Sequence, residues 1–361
     1  MGIVMACKEK GKQSVCFENP PIIKGAASIV SQKEGEGPYG KYFDVIEEDA
    51  KLGTETWEEA EGKFQGKVAE LAIKKSGLSK NEIRYMVAGD LLGQLMASSF
   101  GLINLDIPLF GVYGACSTMG ESLGVAAMIV EGGFADNVVA ITSSHFASAE
   151  KQFRFPLGYG NQRPKAATWT VTGSGAVVLS ASKRCKELEE REENESLSKE
   201  AMAEEGMVKV KGITTGKIVD FGIKDSMNMG ACMAPAAGDV IVQNLIDFGY
   251  QPEHYDKIIT GDLGMVGKDI LIDYVRAKGY DISDQYMDCG IEIYSEDQNT
   301  QAGGSGCGCS AVMLAGYILK MLESGEWKRV LFVPTGALLS PVSFNEGNSV
   351  PGIAHGVMLE K

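Results

Sequence analysis

One of the eight cysteines of the chain lies where a thiol could do chemistry. Cys116 belongs to the run Gly-Ala-Cys-Ser-Thr at residues 114–118, immediately before a predicted helix. The first N–H groups of a helix are unpaired and carry partial positive charge, so they favour a thiolate and lower the pKa of a thiol. A thiolate in this position could attack a thioester carbonyl. We therefore interpret Cys116 as a pocket residue and as a candidate nucleophile.

A cysteine nucleophile needs a base or hydrogen-bond donor beside it and donors for the oxyanion that forms. The chain holds three histidines that could help, at positions 145, 254 and 355. His145 follows a predicted strand at 138–142, and residues just past parallel strands face the site of an α/β sheet. We therefore expect His145 in the pocket and His254 in an exposed loop. For His355, which precedes the last predicted strand, a pocket role and a structural role both stay open.

Positive charge and aromatic rings alternate between residues 151 and 169, in a protein whose net charge is −14. The segment has no acidic residue, and its basic and aromatic residues are Lys151, Phe153, Arg154, Phe155, Tyr159, Arg163, Lys165 and Trp169. An arginine can clamp a carboxylate with two parallel hydrogen bonds, and aromatic rings can stack on a flat ligand. The segment therefore predicts a site for a small aromatic dianion, with Arg154 as carboxylate ligand. The alternative is a loop whose charges face water or a dimer partner.

Other features of the sequence argue against whole classes of function. The 48 acidic residues outnumber the 34 basic ones, which argues against binding to nucleic acid or, through net charge, to an anionic membrane. The cysteines lack the CxxC spacing of metal and redox sites, and no Lys-Ser/Thr pair follows the glycine-rich residues 303–308. We therefore expect no metal and no cofactor. The sequence has no signal-peptide pattern and no long apolar run, so we expect synthesis in the cytoplasm.

An internal repeat organises the chain. A glycine, a strand and the triplet Gly-Asp-Leu occur in both halves, with the triplets at 89–91 and 261–263, an offset of 172 residues. Segments that begin at Gly114 and Gly306 repeat a loop, a helix and a buried strand at an offset of 192. Strands that alternate with helices predict parallel βαβ units. The two helices that follow these loops are rich in small residues, as expected for helices buried between two sheets.

The repeat predicts an α/β fold with two pseudo-symmetric halves in five layers, αβαβα. Residues 1–183 form the N-terminal half, which carries Cys116 and the basic-aromatic segment, and residues 216–361 form the C-terminal half. Residues 184–215 include nine glutamates between 187 and 205 and no apolar stripe. We therefore assign 184–215 to an acidic surface insertion.

A duplicated αβαβα chain with a cysteine at the start of a buried helix resembles the thiolase fold of thiolases and ketoacyl-ACP synthases. The resemblance covers nearly the whole chain, places Cys116 at the position of the family nucleophile and implies a homodimer. In the ketoacyl synthases a histidine follows the strand that matches residues 257–260, and a His or Asn lies on the next glycine-rich loop. Here Asp262 stands in the first place, and residues 302–310 contain neither helper. The resemblance therefore implies a pocket that includes Asp262 and is not that of an enzyme.

Residues 114–127 and 141–180 carry a more specific resemblance, to the thiolase-like member of the SpoVA group of sporulation proteins. It implies binding of dipicolinic acid (pyridine-2,6-dicarboxylate), free or as its calcium chelate. The ligand-binding residues that we predict are Cys116, His145, Arg154, Phe155, Trp169 and Asp262. Asp262 would repel a bare dicarboxylate, but it could bond to a protonated group or coordinate the calcium of a chelate.

The same resemblance implies a place for the protein in the spore. It implies that the protein acts with other SpoVA proteins to move dipicolinic acid across the spore inner membrane during sporulation and germination. The protein would then lie at the periphery of that membrane and be held there by its partners. Two other functions stay open: an active acyltransferase that uses Cys116 with an unusual helper such as His145, and a structural subunit whose pocket is filled by side chains. Thiol reactivity and ligand-dependent thermal stability separate the three functions.

Overall fold

The computed structural model of the protein describes residues 8–153, 163–183, 185, 187 and 197–361. The strands are β1 Glu9–Lys10, β2 Ser14–Cys16, β3 Ile22–Ser31, β4 Val45–Glu47, β5 Tyr85–Gly89, β6 Leu109–Gly111, β7 Asn137–Ser144, β8 Trp169–Thr170, β9 Gly173–Ser180, β10 Lys209–Thr214, β11 Lys257–Thr260, β12 Tyr286–Asp288, β13 Gly304–Ser305, β14 Arg329–Val333, β15 Thr335–Ala337, β16 Gly352–Ala354 and β17 Gly356–Glu360. The helices are α1 Gln32–Gly35, α2 Trp57–Ser76, α3 Met96–Gly101, α4 Thr118–Glu131, α5 Phe146–Phe153, α6 Lys199–Ala203, α7 Met229–Phe248, α8 Gly264–Ala277, α9 Cys289–Glu292, α10 Cys307–Met313, α11 Leu319–Ser324 and α12 Pro341–Asn345.

Two five-stranded sheets with the same strand order form the framework. The N-terminal sheet has the order β3-β9-β7-β5-β6 and the C-terminal sheet the order β10-β17-β14-β11-β12. In each, the last three strands run parallel and the second strand runs antiparallel to both neighbours. Where Lys209 pairs with Ile22, the two sheets join into one continuous mixed sheet. The duplication predicted from the sequence is therefore confirmed.

The helices form an outer layer on each side and one layer in the middle. α2 covers one face of the N-terminal sheet, where it packs on β3, β7 and β9, and α4 and α10 pack on the other face. α4 also contacts β17 of the C-terminal sheet, whose outer face is covered by α7. The middle helices α4 and α10 are mostly buried. Their small side chains suit a helix that two sheets enclose, and the predicted order αβαβα is the one observed.

The glycines of the repeat end matching helices. Gly77 follows α2 and Gly249 follows α7, both in the left-handed conformation with φ of 74° and 68°. Glycine adopts this conformation without steric cost and lets the last helical carbonyls find donors. α2 starts with a capping box between Thr56 and Glu59, and α7 starts with the side chain of Asn228 accepting the N–H of Ala231. Short local signals therefore set the ends of the outer helices.

The structure corrects the extent of the acidic insertion. β10, Lys209–Thr214, lies at the centre of the framework, although the sequence assigns 184–215 to the surface. It pairs with β2, β3 and β17, so the C-terminal sheet begins before residue 216. Lys209 and Lys211 are partly exposed and alternate with buried residues. The local sequence therefore resembles a polar stretch, although it forms a half-buried strand.

Only α7, among the described residues, is long and apolar enough to cross a membrane, with 20 residues and a mean hydropathy of 1.2. Within its most apolar stretch of 18 residues, 72% is buried inside the protein. It packs against α8 and the C-terminal sheet, so it has the surroundings of a core helix.

Substitution of Gly175 by alanine tests the close contact between β9 and α10. A Cβ at this position would come within 2.4 Å of the Ala311 carbonyl oxygen, whereas a Cβ at Gly124 in α4 would meet nothing nearer than 3.7 Å. We expect Gly175→Ala to lower the free energy of unfolding by about 1–3 kcal/mol, because the backbone of α10 must move. We expect Gly124→Ala to raise it by about 0.5–1 kcal/mol, because alanine favours a helix interior. Urea denaturation of both variants measures the difference; equal stability would contradict the packing described.

Candidate functional site

Cys116 lies in a tight turn that leads into α4. The N–H of Ser117 bonds to the Gly114 carbonyl at 3.0 Å, and the Ser117 hydroxyl donates to the same oxygen at 2.7 Å. The Thr118 hydroxyl accepts the N–H of Gly114 at 3.1 Å. Ala115 is held in the left-handed region with φ of 51°, which a non-glycine residue adopts only at some cost. The hydroxyl side chains of the Gly-Ala-Cys-Ser-Thr run thus hold the cysteine at the start of the middle helix.

Asp262 faces Cys116 from the other half of the protein. The carboxyl group is fully buried and accepts the N–H of Gly306 at 2.9 Å and the hydroxyl of Thr335 at 2.7 Å, and its charge acts on the Cys116 thiol. Burial raises the pKa of Asp262 to about 7. Burial, and then the Asp262 charge, raise the pKa of Cys116 well above its usual value. The expectation that the helix start lowers this pKa is therefore wrong, because desolvation and the neighbouring carboxylate outweigh it.

A second cysteine, missed in the sequence analysis, lies beside Cys116. Cys307 is the first residue of α10, is fully buried and packs with Leu91, Cys116 and Ala149. Its thiol donates to the Ser143 carbonyl oxygen at 2.9 Å. Burial raises its pKa well above the usual range. The repeat could have pointed to Cys307, because α4 and α10 are equivalent helices and their starting ends meet at the pseudo-twofold axis.

The cavity at Cys116 is small, mostly apolar and open to the surface. Its lining consists of Leu91, Tyr113, Ala115, Cys116, Ala149, Phe153, Thr170, Met229, Ser305, Gly306, Ala337 and Leu339. The whole space with its mouth has about 430 Å³. A vestibule of about 880 Å³ adjoins it and shares Leu91, Tyr113, Phe153 and Leu339 with it. The described lining of the cavity contains no lysine or arginine.

Two of the three described basic side chains of the segment 151–169 have acidic partners from outside it, and the third, Lys165, is exposed. Lys151 pairs with Glu58 and Arg163 with Glu150, each at 2.6 Å. Trp169 stacks on Phe146 with ring centroids 3.8 Å apart, next to Thr170 rather than in the cavity lining itself. Arg154 and Phe155 lie outside the described residues. The described part of this segment is therefore closer to neutral than its sequence indicates.

The structure does not bring His145 to the cavity. The Nε2 atom donates to the carbonyl oxygen of Ala50 at 2.9 Å, while Nδ1 accepts the N–H of Ala147 at 3.1 Å. Its ring packs against Trp57 and Phe64, and burial lowers its pKa. The rule that residues past parallel strands face the site fails here, because the chain turns into α5 and directs the ring outward to α2.

Two further buried carboxyl groups, Glu61 and Asp90, lie in the N-terminal half. Asp90 occupies the position in the first copy of the repeat that Asp262 occupies in the second. Asp90 accepts the hydroxyl of Ser98 at 2.6 Å, and Glu61 accepts the hydroxyls of Ser143 and Ser148 at 3.0 and 2.5 Å. Burial, and then the charge of Asp90, raise the pKa of Glu61 to about 8. Glu61 is therefore mainly protonated at neutral pH and acts as a hydrogen-bonding group rather than a charge.

The surroundings of Cys116 disfavour its thiolate form and therefore do not suit a nucleophile. A buried thiol beside a carboxyl group is a poor nucleophile, because burial and negative charge disfavour thiolate, which is the reactive species. The described residues contain no group of three or more His, Cys, Asp or Glu side chains that could hold a metal ion. Asp262 is not part of the cavity lining but lies behind Gly306, fully buried, so it could complete the shell of a cation already bound to a chelator only after the cavity wall at Gly306 moves.

Asp262→Asn tests the electrostatic relation between the two central residues. The amide removes the negative charge that raises the pKa of Cys116, so we expect alkylation of this thiol by iodoacetamide to become faster and its pH midpoint to fall. Peptide mass spectrometry distinguishes Cys116 from the other cysteines. Asp281→Asn, which changes the net charge equally at an exposed site, should leave the rate unchanged. A slower or unchanged Cys116 rate in Asp262→Asn would contradict the interaction.

The fold is that of thiolases and related condensing enzymes. The chain is similar to 3-oxoacyl-[acyl-carrier-protein] synthase III of Aquifex aeolicus at 15% identity, covering 94% of this chain and all of that one, with a TM-score of 0.51. It is also similar to OleA of Xanthomonas campestris, at 12% identity over 96% of this chain and 99% of the other, with a TM-score of 0.58. Acetyl-CoA acetyltransferase from Syntrophomonas wolfei gives a TM-score of 0.58 at 11% identity, over 95% of this chain and all of that one.

A narrower similarity identifies the family. Residues 11–360 match the family model described as stage V sporulation protein AD. The chain is also 41% identical to stage V sporulation protein AD of Bacillus subtilis over 354 residues, which is 98% of each protein. The chain is therefore a sporulation protein with the thiolase fold, and it belongs to the stage V sporulation protein AD family.

Proposed function

We propose that the protein binds dipicolinic acid, free or as its calcium chelate, at the cavity of Cys116 and Asp262. The protein then takes part in moving this compound across the spore inner membrane and does not condense acyl groups. The proposal builds on the family assignment and on the resemblance of residues 141–180 to the thiolase-like SpoVA protein.

The buried Asp262 carboxyl group beside Cys116 carries the proposal. A condensing enzyme needs a thiolate and a neighbouring group that accepts or donates protons to the substrate. At this site the neighbouring group is a buried carboxyl that raises the pKa of the thiol. A pocket of this kind favours the protonated thiol, which supports ligand binding over covalent catalysis.

Charge balance in the cavity favours the calcium chelate. Dipicolinate is a dianion near neutral pH, and the described lining offers it no cation. Its chelate with one calcium ion is neutral, and calcium accepts further oxygen ligands such as the Asp262 carboxylate. The apolar lining, including Leu91 and Phe153, suits the faces of the pyridine ring. Arg154, outside the described residues, is the side chain that we assign to binding of the free dianion.

The same proposal implies where the protein lies in the spore and which proteins it contacts. We assign it to the periphery of the spore inner membrane, in contact with other SpoVA proteins. We also propose a homodimer that forms through β6, the last strand of the N-terminal sheet, whose residues Leu109, Phe110 and Gly111 are all exposed. An exposed apolar edge strand is normally covered by another chain.

Calorimetric titration with dipicolinate, with and without equimolar calcium, tests the binding proposal. We expect saturable binding of the chelate that weakens about tenfold or more in Asp262→Asn, because one charged oxygen ligand is lost. We expect Arg154→Ala to weaken binding of the free dianion. Arg276→Ala removes a cation that pairs with Asp281 on the surface and serves as the matched control, with unchanged binding.

Two results would overturn this proposal. One is the absence of binding to the wild-type protein in either form of the ligand. The other is turnover of an acyl-CoA thioester that Cys116→Ala abolishes, which would make the acyltransferase the correct function. Thermal unfolding of each variant checks that a loss of binding does not reflect a loss of fold.

A further inference from the structure

Two residues with hydroxyl side chains line the cavity of Cys116 side by side, one from each half of the chain. They are Thr170 on β8 and Ser305 on β13, and these two strands form a small parallel sheet. The N–H of Val171 donates to the Ser305 carbonyl oxygen at 2.8 Å, so the backbone fixes the strands to each other at this point. The fold therefore sets the positions of both side chains.

Both hydroxyl groups lack a hydrogen-bond partner within the described residues. Thr170 and Ser305 are each only 5% exposed. Neither oxygen belongs to the fully buried polar atoms without a partner, so both oxygens keep accessible surface in the cavity that their residues line. Polar groups of side chains this deeply buried are normally paired. The missing partner is therefore expected to come from a molecule in the cavity.

The spacing of the two hydroxyl groups suits a single acceptor group between them. Thr170 and Ser305 are direct partners in the register of the two strands, so their side chains lie next to each other on the same face. Neighbouring strands are about 4.8 Å apart, which sets the distance between the two side chains where they leave the backbone. A carboxylate between them can accept one O–H···O bond of about 2.7 Å from each hydroxyl.

We infer that Thr170 and Ser305 together bind one carboxylate group of the ligand in the cavity of Cys116. This inference rests on the proposed function, which places a pyridine dicarboxylate in that cavity. Each hydroxyl donates to a carboxylate oxygen, and such a bond is stronger than one to a neutral acceptor. The other walls, with Leu91 and Phe153, remain free for the ring.

A neutral pair of donors also agrees with the charge of the cavity. The described lining has no lysine or arginine, and it has no aspartate or glutamate either. An ammonium group would find no charged partner on this surface. The carboxylate of a neutral calcium chelate needs hydrogen-bond donors rather than a cation, and the two hydroxyls supply them.

Calorimetric titration with dipicolinate and equimolar calcium tests the inference in three variants. Thr170→Val and Ser305→Ala each remove one hydroxyl with little change of shape, and we expect each to weaken binding about tenfold. Thr170→Ser removes only the methyl group, so it should retain the wild-type affinity. Because neither hydroxyl has an internal partner, the thermal midpoints of all three variants without ligand should stay close to that of the wild type.

Infrared spectroscopy of bound, isotope-labelled dipicolinate gives a readout that altered packing does not move. Hydrogen bonds to a carboxylate lower its antisymmetric stretching frequency, so we expect this band to rise in Thr170→Val and Ser305→Ala at saturating ligand. Ser310→Ala is the matched control, because its buried hydroxyl donates to the Cys307 carbonyl oxygen of its own helix and lies outside the described lining. It should change neither the affinity nor the band.

The outcomes separate this inference from the proposed function. If the wild-type protein binds the chelate and either Thr170→Val or Ser305→Ala binds it as tightly, the inference is overturned and the proposed function stands. A loss in Thr170→Ser as large as that in Thr170→Val also overturns it, because the methyl group would then be responsible. If the wild-type protein does not bind the chelate, the proposed function fails and this inference fails with it.

Discussion

The electrostatic interaction between the Cys116 thiol and the buried Asp262 carboxyl group is the constraint on which the rest of the site depends. Each half of the duplicated chain contributes one of the two groups, and both are buried. Gly306 and Thr335 hold the carboxyl group in place through bonds of 2.9 and 2.7 Å. Burial disfavours the charged form of both groups, so the Cys116 thiol keeps its proton near neutral pH while Asp262 titrates there, with a pKa of about 7. A fold used elsewhere for thiolate chemistry thus carries a site suited to binding.

The pseudo-twofold symmetry explains why the polar groups cluster. Each half ends an equivalent strand with an aspartate, Asp90 or Asp262, and starts an equivalent helix near a cysteine, Cys116 or Cys307. Asp90 is satisfied by Ser98 and the N–H of Leu92, so this half contributes structure behind the cavity. Asp262 is held by Gly306 and Thr335 instead, and its charge acts on Cys116. The duplication has therefore diverged at its centre, while the strand order of the two sheets has stayed the same.

The architecture can be predicted from the sequence because both halves carry the same order of strands, helices and glycines. Two matched sets of strands, helices and glycines define the same sheet order, and Cys116 is recognisable from its place before a buried helix. The interior contacts of the site were harder to predict. His145 bonds to Ala50, which is 95 residues away in the chain, and Lys151 pairs with Glu58, 93 residues away. Such long-range partners decide which face a side chain takes, and local periodicity carries no information about them.

The central claim is that the Cys116–Asp262 cavity is a binding site for dipicolinic acid or its calcium chelate. A crystal structure of the protein with calcium and dipicolinate, with anomalous data to locate the calcium, tests it most directly. We expect the pyridine ring between the apolar walls of the cavity and calcium next to the Asp262 carboxylate, with an unmodified Cys116 thiol. A ligand bound only elsewhere, with the Cys116 cavity empty, would contradict it.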